Sequence, residues 1–116
     1  MKEAYGPQER IRNKRDFLFL FKDGKRYKDK YFNLIYFPNS FSFSRMAVIV
    51  SKEVGNAVFR NKMKRWMRDL FRRHKEYLKP NLDILIIIKK EIQEASWTNL
   101  RQNYLRAVKS IGEEPS

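Results

Sequence analysis

Arg60-Asn61-Lys62-Met63-Lys64-Arg65-Trp66-Met67-Arg68, running on to Arg72 and Arg73, sorts into two faces when wound as an α-helix at about 100° per residue. Phe59, Met63, Trp66, Met67, Leu70, Phe71, His74 and Leu78 fall on one side. Asn61, Lys64, Arg65, Arg68, Arg72 and Lys75 fall on the other, with Arg60, Lys62 and Arg73 at the flanks. One side is suited to burial and the other to a polyanion. The stretch therefore predicts a nucleic-acid-binding helix seated on a packed domain.

Outward from this segment, the helix is expected over residues 58–77, with Lys79-Pro80-Asn81 stopping it. Tyr31 to Phe37 alternates and is rich in aromatics, which suits a strand, and Pro38-Asn39-Ser40 makes a turn. Phe43 to Val50 follows as a second strand, expected antiparallel to the first because the connection is short. Asp16 to Lys22 reads as a short helix with Phe17, Leu20 and Phe21 on one face and Gly24 ending it. Ile84 to Ile88 is apolar on both faces and should be a central strand covered on both sides. Ser96 can cap a last helix in which Trp97, Leu100, Tyr104, Val108 and Ile111 recur at helical spacing, closed by Gly112. Helix, strands, helix, strand and helix in that order give a single α+β domain with helices on a small sheet. Residues 1–9 are expected to be a flexible tail.

A chain of 116 residues fits one domain, and with 42% apolar and 15% aromatic residues it can build a core. The formal net charge of +13 implies an acidic partner, with nucleic acid the default. That charge is unevenly placed. Residues 1–30 carry 10 basic and 5 acidic side chains, and residues 51–79 carry 10 and 3. Residues 80–116 balance at 5 of each, so the last third reads as scaffold. Cysteine is absent, which excludes disulfides and cysteine-based metal sites. No apolar run approaches the length of a membrane span, and no signal peptide is visible. The expectation is a soluble, cytoplasmic protein with no membrane partner.

Catalytic candidates are few. The single histidine, His74, sits near the apolar side of its helix, where a partly buried structural role is the better reading. One His and no Cys leave no zinc site and no Cys-His or Ser-His-Asp system. Glu91, Glu94, Glu113 and Glu114 show no paired spacing in an apolar setting, and Gly6, Gly24, Gly55 and Gly112 stand alone rather than in a phosphate loop. No catalytic residue, metal ligand, bound cofactor or small-molecule ligand is expected.

Binding is better supported. A basic helix face can be merely solvated, but its neutralising partners are scarce, with only Asp69 and Glu76 on this helix. Asn61 lies within the basic stripe, where an amide can pair with a base edge or ribose while Arg grips phosphate. Phe17, Phe21 and Tyr36 read either as core or as a stacking surface for unpaired bases. Alternation puts Phe32, Leu34 and Tyr36 on one strand face and Tyr31, Asn33, Ile35 and Phe37 on the other, without saying which face meets which helix.

Gly55-Asn56-Ala57-Val58-Phe59-Arg60-Asn61-Lys62-Met63-Lys64-Arg65-Trp66-Met67-Arg68 resembles the signature of the bacterial ribonuclease P protein subunit, a glycine turn followed by R-N-x-x-K-R-x-x-R on a helix. Arg15-Asp16-Phe17 through Gly24, Ser51-Lys52, the strand at Asp83 to Ile88 and the closing helix extend the likeness over nearly the whole chain. What the resemblance implies is a four-stranded mixed sheet with a left-handed βαβ crossover, against the usual preference. It further implies a partner RNA that, with magnesium ions, removes the 5′-leader of precursor tRNA, the protein itself not cleaving. By this likeness Lys52, Arg60, Asn61, Lys62, Lys64, Arg65, Arg68 and Arg72 contact the catalytic RNA. Phe17, Phe21 and Tyr36 line a cleft for the single-stranded leader. Glu53 departs from the pattern where many members have a second basic residue, and Ile35 stands where the strand aromatic of the cleft is often found.

Two other classes share part of this pattern. A purely structural RNA-binding protein, such as a ribosomal protein, shares the charge and amphipathicity but not the R-N-x-x-K-R-x-x-R register. A duplex-DNA regulator expects a helix-turn-helix pair and a dimer surface, and neither is visible in the sequence.

Overall fold

Leu82 to Ile88 is the strand around which everything else is arranged, as its apolar run from Ile84 to Ile88 requires. A computed structural model describes residues 6–112. In chain order these form α1 (Lys14–Asp23), β1 (Lys25–Lys28), β2 (Phe32–Pro38), β3 (Arg45–Ile49), α2 (Ala57–Arg73), β4 (Leu82–Ile88) and α3 (Trp97–Gly112), with short 3-10 turns between them. The sheet order is β1-β2-β4-β3. β4 runs antiparallel to β2, pairing Leu34 with Ile86, and parallel to β3, pairing Met46 with Ile84. The sheet is therefore mixed, and β3, α2 and β4 form a βαβ unit.

β3 runs antiparallel to β2, as its short connection predicts, but the two are not neighbours. β3 does not form a hairpin with β2, because β4 is inserted between them. The connection over residues 39–44 is held to the start of β4 instead. The Asn39 amide N–H donates to the Asn81 carbonyl at 3.0 Å, and the Asn39 side chain donates to Asp83 Oδ1 at 2.8 Å. A strand apolar on both faces is most stable with paired neighbours on both edges, and this outweighs the short connection. β1 adds a fourth strand at the other edge of the sheet. Its Lys25, Arg26 and Lys28 are exposed and only Tyr27 is half-buried, the pattern of a charged edge strand that resists further pairing.

Period-two alternation assigns each strand residue to a layer. Phe32, Leu34, Tyr36, Met46, Ile84, Ile86 and Ile88 join Met63, Met67, Leu70 and Phe71 of α2 and Leu100, Tyr104 and Val108 of α3 in the larger core. Ile35 and Leu85 face the other way, under Leu20 of α1 and under Ile11, which precedes that helix. Each wholly buried side chain of this kind contributes roughly 1.5–3 kcal/mol. α1 starts at Asn13, whose side chain accepts from the Arg15 N–H at 2.8 Å, and ends where the Gly24 N–H donates to the Leu20 carbonyl at 2.9 Å. A Cβ at Gly24 would sit 2.5 Å from that carbonyl oxygen and against Ile35, so the sharp turn into β1 needs glycine for space. Arg45 ties α1 to the sheet, with Nε 2.9 Å and Nη2 2.5 Å from the two Asp83 oxygens and Nη1 3.3 Å from Asp16. The two carboxylates hold the Arg45 guanidinium above its usual pKa, Asp83 most of all.

Of the expected tail over residues 1–9, residues 1–5 lie outside the described residues. Pro7–Glu9 form a 3-10 turn, and Glu9 is buried with its carboxylate 2.5 Å from Lys75 Nζ. An ion pair and the bridge between Arg10 and Met46 hold this stretch on the domain, where a flexible tail had been expected.

Candidate nucleic-acid interface

Two adjacent surfaces carry the sequence-predicted residues other than Tyr36. The first is the outer face of α2. Its approach is a 3-10 turn, Lys52–Val54, with Val54 buried and Lys52 exposed. Gln93 holds the turn by donating to the Val54 carbonyl. Asn56 then caps the helix by accepting from the Phe59 N–H at 2.9 Å. With Met63, Met67, Leu70 and Phe71 fixed inward, the helical period leaves Asn61, Lys62, Arg65 and Arg68 exposed and Arg60, Lys64 and Arg72 half-buried along the flanks. From Arg60 to Arg72 the stripe is about 18 Å long.

The cations of this stripe are not equivalent. Asp69 is engaged by Arg72 and, at 3.0 Å, by Arg73. Among the described residues Arg60, Lys64, Arg65 and Arg68 make no ion pair. Arg72 is thus partly neutralised within the protein, while those four offer their full charge to a partner. At the helix end, burial lowers the pKa of His74, with the Arg101 and Arg73 charges acting in the same direction. His74 is half-buried there, close to Tyr77, in keeping with a structural role.

The second surface is the groove beside α1. A helix about 10 Å wide covers roughly two strands spaced about 4.8 Å apart, so one short helix leaves part of a four-stranded sheet bare. Ala47, Ile49 and Ile87 are only half-buried as a result, on the layer that carries Ile35 and Leu85. Phe17 packs half-buried at their edge, and Phe21, one turn further on, is exposed. Tyr36 is not part of this groove. It is 4% exposed in the larger core, on the opposite face of the sheet. Alternation along β2 puts Ile35 and Phe37 on the groove side, and the aromatic there is Phe37, with Phe19 of α1 edge-on at 4.9 Å between ring centres.

The surfaces meet. Phe17 of α1, Ala47 of β3 and Arg68 of α2 line one cavity of about 200 Å³ together with Arg10 and Arg12. Arg10, Arg65, Arg68, Asp69 and Arg72 line its neighbour of about 330 Å³. Sequence reasoning missed Arg10 and Arg12. The only signal for them was the surplus of positive charge in the first 30 residues, which carried no indication that the Ile11 N–H would bond to the Met46 carbonyl and lay both arginines beside α2.

The model of the family described as Ribonuclease P matches residues 6–112 of this chain. The chain belongs to the ribonuclease P protein family. A ribonuclease P protein component from Thermotoga maritima is 37% identical over 116 residues, covering 96% of this chain and 98% of that protein. One from Petrotoga mobilis is 33% identical over 94% of this chain and 96% of that protein. The solved RNase P protein from Thermotoga maritima superposes with a TM-score of 0.81 at 36% identity, over 88% of this chain and 96% of that one. The role of the family is in the ribonucleoprotein that processes the 5′-leader of precursor tRNA, and this chain is a subunit of that endoribonuclease. An RNA partner follows from membership. No helix among the described residues is long and apolar enough to cross a membrane.

Proposed function

We propose that the outer face of α2, with Lys52 at its foot, docks on the catalytic RNA of ribonuclease P, and that the groove between α1 and the β3–β4 half of the sheet holds the unpaired 5′-leader of precursor tRNA. The observation that carries this reading is the shared cavity of Phe17 and Arg68, which makes the basic stripe and the aromatic groove one surface. A single strand leaving the RNA-bound face can enter the groove without crossing an acidic rim.

The chemistry divides accordingly. Arg60, Lys64, Arg65 and Arg68 hold phosphates, while Asn61 can meet a base edge or a ribose hydroxyl. Lys62 adds charge at the flank, and Arg72 contributes less because Asp69 shares it. In the groove Phe17 and Phe21 offer rings to successive bases, a sequence-tolerant mode since every base has a π-face. Cleavage itself is assigned to the RNA and its magnesium ions. Of the carboxylates near these surfaces, Asp16 and Asp83 are engaged by Arg45, Asp69 by Arg72 and Arg73, and Glu9 by Lys75. What the chain supplies is cationic charge, which lowers the magnesium needed to fold and dock the RNA. A cytoplasmic location goes with these partners.

Because the chain has no cysteine, a single introduced one gives a unique attachment point. A photoreactive group on Phe21→Cys should crosslink to the leader of bound precursor tRNA, and the same group on Lys62→Cys to the catalytic RNA. Crosslinks from both positions to the same RNA element would overturn the division of surfaces.

A further inference from the structure

On the flank of α2 away from the α1 groove, Trp66 meets Trp97 of α3 edge-to-face, with ring centres 5.3 Å apart and planes at 72°. Both indoles are half-buried against the larger core. They line an open cavity of about 380 Å³ with Arg65, Asp69 and Arg73, and the Lys62 ammonium stands 4.9 Å from the centre of the Trp66 ring. The site thus joins two indoles to three cations and one carboxylate, and that carboxylate is already engaged by Arg72 and Arg73.

As a clamp between α2 and α3 the pair needs no cations. Aliphatic side chains would hold the helices together without leaving indole surface in a cavity of this size. Indoles beside unneutralised guanidinium charge are instead the elements of a nucleotide site, a π-surface for the base with a cation for its phosphate. Arg65 makes no ion pair among the described residues and lines both this cavity and the one it shares with Arg68 and Arg10.

We infer that the Trp66–Trp97 cavity takes one unpaired nucleotide of the catalytic RNA, its base stacked on the indoles and its phosphate held by Arg65. The inference rests on the docking of α2 proposed above and adds to it a stacking subsite distinct from the leader groove. The catalytic RNA is the source favoured because the cavity opens beside the stripe assigned to that RNA, on the flank away from Phe17.

Trp66 and Trp97 are the only tryptophans, so the emission of the unmodified protein reports on this site directly. Saturating the full chain with ribonuclease P RNA should quench most of its tryptophan emission and protect the remainder from acrylamide. A leader oligonucleotide at the same salt should do neither. Trp97→Leu, which keeps apolar contact but removes the π-surface, should weaken the complex with the RNA roughly fivefold or more, with Trp97→Phe restoring most of the affinity. Binding that leaves emission and acrylamide access unchanged overturns the inference while the docking of α2 survives. Quenching by the leader oligonucleotide but not by the RNA overturns it too. No binding of the RNA at all removes the docking proposal and this inference together.

Discussion

Replacing Arg65 and Arg68 together by alanine should change how binding to the catalytic RNA depends on salt. Both are exposed on α2, and neither makes an ion pair among the described residues, so both charges are available for phosphate. Each lost phosphate contact removes about 0.7–0.9 from the slope of log affinity against log salt, so the double variant should be shallower by about 1.4–1.8. Between about 50 and 200 mM salt the unmodified protein should therefore lose roughly 7- to 12-fold more affinity than the variant. Arg72→Ala is the internal comparison. Its guanidinium is shared with Asp69, so its effect on the slope should be smaller than that of either Arg65→Ala or Arg68→Ala alone. Exposed substitutions of this kind cost within about 0.5 kcal/mol of stability, which keeps folding out of the result. The assay is equilibrium binding of the catalytic RNA across a salt series, with circular dichroism as the check on fold. A double variant with lower affinity but an unchanged slope would show that the two arginines do not act as phosphate ligands.

Phe17→Ala should reduce the preference for precursor over mature tRNA in the reconstituted complex while leaving a folded protein. Tyr36→Ala should instead destabilise the domain by about 3–5 kcal/mol, as truncation of a buried aromatic does, with no selective effect on precursor. Equal loss for both tRNA forms in Phe17→Ala would return that ring to the core. The Tyr104 hydroxyl is buried without a hydrogen-bond partner among the described residues, and burial pushes its pKa far up. Tyr104→Phe should consequently leave the melting temperature unchanged or raise it, by up to about 1–2 kcal/mol in stability; a large loss would reveal a partner for the hydroxyl. His74 has its pKa depressed by burial below the ordinary 6.5, so below that pH the unfolded chain binds more protons than the folded one. Its contribution to stability is present above pH 6.5 and is lost as the pH falls through the depressed value. A melting series on His74→Gln should lack this share of the slope just below pH 6.5, and an identical slope would assign it elsewhere.

The helices are legible in the sequence from their apolar period. The stripe Met63, Met67, Leu70 and Phe71 fixed how α2 sits, and with it the outward direction of Arg65 and Arg68. Strand neighbours were harder. Alternation shows that Tyr36 and Ile35 point to opposite layers, but not which layer lies under α1. That depends on α2 and α3 both packing on the Tyr36 side, which is a property of the whole assembly. The partners of β3 were hidden for a related reason, since β4 comes about 35 residues later and takes the place next to β2. β1 carried too little apolar surface to signal a strand. The ion pair between Arg72 and Asp69 follows from their i, i+3 spacing, yet its consequence, that the cations of the stripe differ, needed the coordinates.

We propose that this chain enables an RNA to cleave. The most direct test is reconstitution with a bacterial ribonuclease P RNA, measuring 5′-leader removal from precursor tRNA at limiting magnesium. Adding the protein should turn on correct cleavage, and the Arg65→Ala/Arg68→Ala double variant should do so far less well. Tight binding of the RNA with no stimulation of correct cleavage at any magnesium concentration would contradict it.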